Sequence, residues 1–192
     1  MVREMTPKVI IVSGPPASGK STLATFLGGR FLVPVFSSDM FKESIYDIFD
    51  LADSDERNRD IASKAGFEIL YRIMDSMFDA RKTFVAEANF HPRFNDARMR
   101  NILERASAKA FYIYCSAERE VINSRFRARA TFRHPGYGDK LKINRKGFLE
   151  KMLNDNRPLN IGVDPYFFDT TNPEDIDYGN LLKDIEDFLE SP

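Results

Sequence analysis

The chain has 192 residues, 43% of them hydrophobic and 30% charged, and its 28 lysines and arginines against 29 aspartates and glutamates leave a formal net charge of −1. That length suits one well-buried core and is short for two domains, while the near-neutral balance argues against a general nucleic-acid or membrane-surface binder, which needs clustered positive charge. A single cysteine, Cys115, excludes an intramolecular disulfide framework and suits a reducing compartment.

The opening "MVREMTPKVIIVSG" lacks the long apolar core of a signal peptide, and no stretch reaches transmembrane length, so the expected location is the cytoplasm. The first element is the apolar run Val9–Val12, which reads as a strand covered on both faces. It stops at "GPPASGKS", which fits G-x-x-x-x-G-K-[ST] with Gly14, Gly19, Lys20 and Ser21 in the fixed places, and a helix is predicted from Lys20 to Gly28. Strand, glycine turn and helix in that order form a phosphate cradle. The glycines let successive backbone N–H groups converge on phosphate oxygens, and the helix start adds unsatisfied N–H groups and a positive dipole end. Lys20 is suited to the terminal phosphates and Ser21 to Mg²⁺. The candidate nucleotide-binding segment is therefore Gly14, Pro15, Pro16, Ala17, Ser18, Gly19, Lys20, Ser21 and Thr22.

A second strand is expected over Leu32–Phe36, followed by "SSDMFKE". Asp39 then lies near a strand's C-terminal end, where doubly wound sheets bind ligands. It is a candidate general base toward an acceptor hydroxyl, or a holder of Mg²⁺ through water. Lys42, three residues on, is a candidate for an anionic part of the acceptor. The plainer alternative has Asp39 capping the next helix and Lys42 solvated. A long helix follows from about Asn58 to Ala80, because Ile61, Ala65, Ile69, Ile73 and Met77 recur at four-residue steps. The third strand, Thr83–Ala86, runs into "EANF", making Glu87 and Asn89 candidates for the acceptor side of the crevice; a carboxylate tied to neighbouring backbone is the equal alternative.

A helix over Asn95–Ala106 and a strand over Ala110–Tyr114 come next, then a helix over Ala117–Ala130 with Ser116 as its expected cap. On that helix Arg125 and Arg129 share a face at i and i+4, a spacing that lets guanidinium groups fork onto phosphate oxygens. A solvated basic face or a nucleic-acid patch would show the same spacing. "ATFRHPGYGDKLKINR", Ala130 to Arg145, offers little to bury and is expected as an irregular flap. Helix Lys146–Asn156, strand Tyr166–Phe168 and a helix from Glu174 to Leu189, with Pro173 at its start, complete the chain. His91 and His134, far apart and each before a proline, do not suggest a metal site, and Cys115 reads as a small core hydrophobe.

Alternating strands and helices predict an α/β fold, a parallel sheet with helices on both faces, as one domain over residues 1–192 with a lid inserted at about 117–145. No N-K-x-D segment is present for reading guanine, and the length leaves no room for the extra domains of a motor ATPase. Taken together, "GPPASGKS", "SSDMFKE", "AEANF" and "RFRARATFRHPG" resemble a group of small P-loop kinases, AAA-type ATP-binding proteins that include zeta-toxin-like kinases, chloramphenicol phosphotransferase and polynucleotide 5′-hydroxyl kinases. The resemblance spans roughly Lys8 to Thr171. It implies a five-stranded parallel P-loop sheet with a small lid, MgATP as donor and a hydroxyl acceptor. It implies also that Asp39 matches the group's catalytic aspartate, that Arg125 and Arg129 match its lid arginines, and that Asp169, Thr170 and Thr171 form the loop bordering the adenine. The flap departs from many relatives in carrying Tyr137 where a second histidine stands. The resulting expectation is an ATP-dependent phosphotransferase acting on a small-molecule hydroxyl, with no membrane partner. The alternatives are a nucleic-acid 5′-hydroxyl kinase, which is not favoured, and an ATP-binding regulatory module without catalysis.

Overall fold

Residues 6–51 and 55–192 are described by a computed structural model. The central strand, β1 (Lys8–Ser13), is buried along its whole length and pairs in parallel on both sides, which explains why its sequence is an apolar run without alternation. The other strands are β2 (Val35–Ser37), β3 (Phe84–Glu87), β4 (Lys109–Ser116) and β5 (Tyr166–Asp169). All pairings are parallel and the order is β2-β3-β1-β4-β5. Among the described residues, no helix is long and apolar enough to cross a membrane.

Successive side chains of β1 divide the core in two, as strand geometry requires. Val9 and Ile11 pack against Leu70, Met74 and Phe78 of α3 (Glu56–Asp79) and Met99 and Ile102 of α4 (Pro92–Ala106). Ile10 and Val12 pack against Leu23 and Leu27 of α1 (Lys20–Phe31) and Leu181 and Ile185 of α8 (Gly179–Glu190). Leaving β1, the chain moves toward one sheet edge; leaving the neighbouring β3, it moves toward the other. The C-terminal ends of these two strands therefore open the crevice at which such sheets bind ligands.

The predicted strands and helices all form, with shifted ends. The second strand starts at Val35 rather than Leu32, because α1 runs on to Phe31 and Leu32 terminates it in the left-handed region with φ 53°. Helix α2 (Ser38–Ile48) leaves β2 with no intervening loop, and Ser37, not Asp39, caps it by accepting the Asp39 N–H at 3.2 Å. Helix α3 starts two residues earlier than expected, at the Asp55 cap. Helix α5 (Arg119–Arg129) begins after Glu118 and takes no cap bond from Ser116, which is still in β4. Pro173 opens a short 3-10 turn, and the last helix waits until Gly179.

The largest departure lies in the flap. Ala130 to Arg145 contains a 3-10 turn at Pro135–Tyr137 and helix α6 (Asp139–Ile143), ahead of α7 (Phe148–Asp155). It has more to bury than its composition suggests: Tyr137 joins Tyr46 and Ala62 in a third apolar cluster, and the Asp139 side chain is also buried. Gly136 makes that seat feasible, since a Cβ there would stand 2.6 Å from the Tyr46 ring.

Candidate active site

The turn after β1 has the backbone that its sequence foreshadows. Gly14, Ala17 and Gly19 all have positive φ, at 146°, 67° and 80°. A Cβ on Gly14 would come within 2.3 Å of the Cys115 carbonyl oxygen, so this residue has no substitute. Ser18 is fully buried and its hydroxyl has no hydrogen-bond partner among the described residues. Such a cradle of turned amides at the start of α1 fits an oligophosphate. The Cys115 thiol beneath it is pushed up to about 12 by burial, consistent with a packing role.

Lys20 is buried, with Nζ 3.5 Å from the Pro15 carbonyl oxygen and 3.8 Å from Glu87 Oε1. The other Glu87 oxygen accepts the Ser37 hydroxyl at 2.7 Å. Of the two readings given for Glu87, a place facing an acceptor and a bond to neighbouring backbone, its contacts match neither: it lines neither cavity, and its carboxylate lies between Lys20 and the Ser37 hydroxyl. The register explains it, because Val12 and Ser37 flank Glu87 in the sheet.

Two cavities meet at this lysine. One, of about 380 Å³, is lined by Gly19, Lys20, Ser21, Thr22, Arg125 and Thr170, with Phe168, Ile176 and Tyr178 as apolar wall. The other, of about 590 Å³, is lined by Asp39, Lys42, Asn89 and the flap residues Arg133, Tyr137, Asp139 and Lys142, with Phe67, Tyr71 and Arg98 from the α3–α4 side. Lys20 and Arg129 line both. Ser21 alone does not make a metal cage, and no group of three or more histidine, cysteine or acidic side chains suited to a metal occurs among the described residues. A hydroxyl beside a phosphate cradle nevertheless fits Mg²⁺, which takes few protein ligands and shares the phosphates of its nucleotide.

Arg125 does not reach freely into the first cavity. It donates to Thr170 Oγ1 at 3.1 Å, to the Thr170 carbonyl at 2.7 Å and to the Thr171 carbonyl at 3.2 Å. Thr170 in turn donates to the Ser18 carbonyl at 3.0 Å, and its methyl stands against the Cβ position of Gly19. Arg125 therefore braces the Asp169–Thr171 loop against the phosphate loop. Asp169 accepts the Thr171 hydroxyl at 2.6 Å, and neither of these two lines the cavity as Thr170 does.

At the second cavity, Asp39 stands in the first turn of α2 and pairs with Arg133. Burial pushes its carboxyl pKa up, but Arg133, Lys20 and Lys42 together hold it below the usual carboxylate range. The buried Asp139 carboxylate meets Arg129 at 3.5 Å, Lys142 at 3.4 Å and Arg133 at 3.9 Å. Burial and the neighbouring Arg133 depress Arg129 to about 10. Lys42 Nζ lies 4.8 Å from the Tyr137 ring centroid and 5.8 Å from that of Tyr46, and burial lowers it to about 8. The Arg133 guanidinium stacks 3.6 Å from the Tyr137 centroid, and the Tyr137 hydroxyl donates to the Asp39 carbonyl at 3.3 Å.

Of the sequence candidates, Lys20, Asp39, Lys42, Asn89 and Arg129 converge on the second cavity. Arg133, Tyr137, Asp139 and Lys142 also line it, and the sequence assigns none of them a role there, marking Tyr137 only as a departure in the flap. Their signal was present for Arg133, which continues the four-residue step of Arg125 and Arg129 past the helix end, with its N–H donating to the Arg129 carbonyl at 2.9 Å.

The turned phosphate loop at the end of β1, set in a five-stranded parallel sheet with helices on both faces, defines a small P-loop kinase fold. Residues 9–142 match the family described as an AAA domain, and the chain belongs to that family. A solved candidate kinase from Chloroflexus aurantiacus J-10-fl is 29% identical, covers 95% of this chain and 98% of its own, and superposes with a TM-score of 0.85. A sugar kinase from Janibacter sp. HTCC2649 is 18% identical over 96% of this chain and 95% of its own, with a TM-score of 0.56. The APS kinase of Mycobacterium tuberculosis is 17% identical over 97% and 99%, with a TM-score of 0.51. These two more distant likenesses establish the shared fold. No curated protein matches the sequence.

Proposed function

We propose that this protein is an ATP-dependent phosphotransferase that moves the γ-phosphoryl group of MgATP to a hydroxyl of a small molecule. The observation that carries the reading is the meeting of two cavities at Lys20 and Arg129, with a phosphate cradle in one and Asp39 in the other. In the reaction the acceptor oxygen bonds to the γ-phosphorus, the bond to the β–γ bridging oxygen breaks, and ADP leaves with that oxygen. Mg²⁺ beside Ser21 would supply charge neutralisation on the terminal phosphates. Lys20 and Arg129 answer the negative charge on the oxygens being transferred, from a site that costs no reorganisation. Asp39, held ionised by its cationic neighbours, orients the acceptor hydroxyl and takes its proton as the new bond forms. The flap side chains cover this junction and exclude water that would otherwise hydrolyse ATP.

Two features favour a small acceptor over a nucleic-acid strand. Of the four arginines of α5, the pair at i and i+4 turns inward, Arg125 onto loop carbonyls and Arg129 onto Asp139, and only Arg119 and Arg127 stay exposed, too few for a basic track. The second cavity is also roofed by Arg133, Tyr137 and Lys142. The cytoplasm suits such a use of ATP.

The test is transfer of labelled γ-phosphate over a panel of hydroxyl metabolites, in the wild type and in Lys20→Met. The variant is expected to lose about 10²–10³-fold in kcat, the scale for removing one preorganised electrostatic contact, with an unchanged circular-dichroism spectrum. Retained turnover, or the absence of magnesium-dependent ATP binding in the wild type, would overturn the assignment.

A further inference from the structure

The inner wall of the second cavity carries more positive charge than its own carboxylates can answer. Lys20, Lys42, Arg129, Arg133 and Lys142 line it, against Asp39 and Asp139. Two further carboxylates on its α3 side are already engaged: Asp60 with Lys64 at 2.7 Å, and Glu68 with Arg98 at 2.6 Å. Of the five inner cations, Lys20 faces Glu87, Arg133 pairs with Asp39, and Arg129 and Lys142 share Asp139. Lys42 meets no carboxylate at ion-pair distance among the described residues; its ammonium rests only over the faces of Tyr46 and Tyr137. Asp39, one turn away, attracts Lys42 but is in contact with Arg133 instead, so this half-buried cation is only partly compensated, and the ring faces repay a small part of the cost. Burial lowers the Lys42 ammonium to about 8, and Asp39 offsets that only in part.

The donor does not supply the missing charge. Lys42 is absent from the wall of the nucleotide cavity, whereas Lys20 and Arg129 line both. Lys42 is three residues beyond Asp39 on α2, so the two side chains share a helix face. A molecule presenting a hydroxyl to Asp39 can present a second group to Lys42, with its carbon skeleton against Phe67 and Tyr71.

We propose that the phosphate acceptor is an anionic hydroxyl compound, bearing a carboxylate or a phosphate ester, and that Lys42 is the residue that reads the anion. The word acceptor rests on the kinase reading above; the anion site rests on the charge arrangement alone.

The experiment is isothermal titration with the phosphate loop filled by saturating MgADP, so that anions cannot report on the cradle. The probes are inorganic phosphate and two matched sets: glycerol, glycerate and glycerol 3-phosphate; glucose, gluconate and glucose 6-phosphate. At least one anionic member is expected to bind tenfold or more tightly than its neutral parent, and the carboxylate and phosphate arms tell which anion is meant. Lys42→Met should remove that preference, Lys42→Arg should keep most of it, and MgADP affinity serves as the folding control for both. Anions that bind no better than neutral parents, binding by none of the probes, or a preference that survives in Lys42→Met would each overturn the proposal. Anion binding without phosphoryl transfer would sink the kinase reading and leave the anion site standing. Phosphorylation of neutral hydroxyls as readily as anionic ones would do the reverse.

Discussion

Asp39 and Lys42 are held in opposite electrostatic conditions within one turn of helix. Asp39 sits among cations and stays ionised well into acid, while Lys42 is burdened by burial and loses its proton at about 8. The Asp39→Asn variant keeps the size and the hydrogen-bonding end but cannot take a proton, so kcat is expected to fall about 10²–10⁴-fold. The pH dependence follows from the two signs. With Asp39 ionised, no loss of rate from this group is expected at mildly acid pH. As pH rises through about 8 the Lys42 charge disappears, so KM for an anionic acceptor should climb while kcat holds, a split that a pH series of initial rates measures. Stability follows the same groups. Asp39 contributes stability above the usual carboxylate pKa and loses it as pH falls through its lowered folded value. Lys42 gives the same direction in pH for the opposite reason: its charge costs the native state below about 8, and the cost is relieved as pH rises from there toward the unfolded value of about 10.4. At this scale the sequence was legible wherever a motif ties side chain to strand end, as for Lys20 and Asp39. The partners of Glu87, Lys20 and the Ser37 hydroxyl, were not legible, because they depend on β3 lying between β1 and β2, and strand order leaves no mark on a local pattern.

Helix α5 and the flap behind it act as one element built around Asp139. Arg129 from the helix, Arg133 from the turn after it and Lys142 from α6 converge on that one carboxylate, and the Tyr46–Ala62–Tyr137 cluster seats the assembly on α2 and α3. Removing one partner of a buried ion cluster strands the others, so Asp139→Asn is expected to cost about 3–5 kcal/mol. The loss should concentrate in the flap. Hydrogen exchange over 130–145 should quicken by far more than exchange in β1, and kcat should fall with it, because Arg129 and Arg133 lose their anchor. Equal exchange in both regions would mean that Asp139 serves global stability and not the flap. The flap's order was hidden from the sequence for a physical reason. Beyond Ala130 its buried residues are a tyrosine, an aspartate and a glycine, which hydropathy reads as loop; the tyrosine and glycine pack against elements more than seventy residues away, and the aspartate pairs with cations that only the folded flap gathers around it. Helices α1, α3 and α4 were plain because each carries its own apolar stripe.

Across the molecule, the two cavities lie beyond the same edge of the sheet because β1 and β3, adjacent in space, send the chain in opposite directions. The alternation of apolar runs and helical stripes made the parallel sheet legible, and the glycine-rich turn made one cavity legible; the second is assembled from the phosphate loop, the turn after β3, α2, α3, α4, α5, the flap and α7, and no local pattern announces a meeting of so many segments. Ligand binding to such a junction is a stability term for the whole chain, since nothing equivalent exists in the unfolded state. With free MgADP at a hundred times its dissociation constant, linkage adds about 2.7 kcal/mol. For a domain of this length each kcal/mol moves the melting temperature by about 2–4 °C, which predicts a shift of about 5–11 °C. Gly14→Val is the control that isolates the cradle. Its new side chain would meet the Cys115 carbonyl oxygen in a backbone conformation with φ 146°, so the loop must open. Measured by scanning calorimetry against its own unliganded melting point, the variant should show no nucleotide-dependent shift, whatever its starting stability. A shift of wild-type size in Gly14→Val would mean that the nucleotide is held elsewhere than in the turn after β1, and the division of labour between the two cavities would have to be abandoned with it.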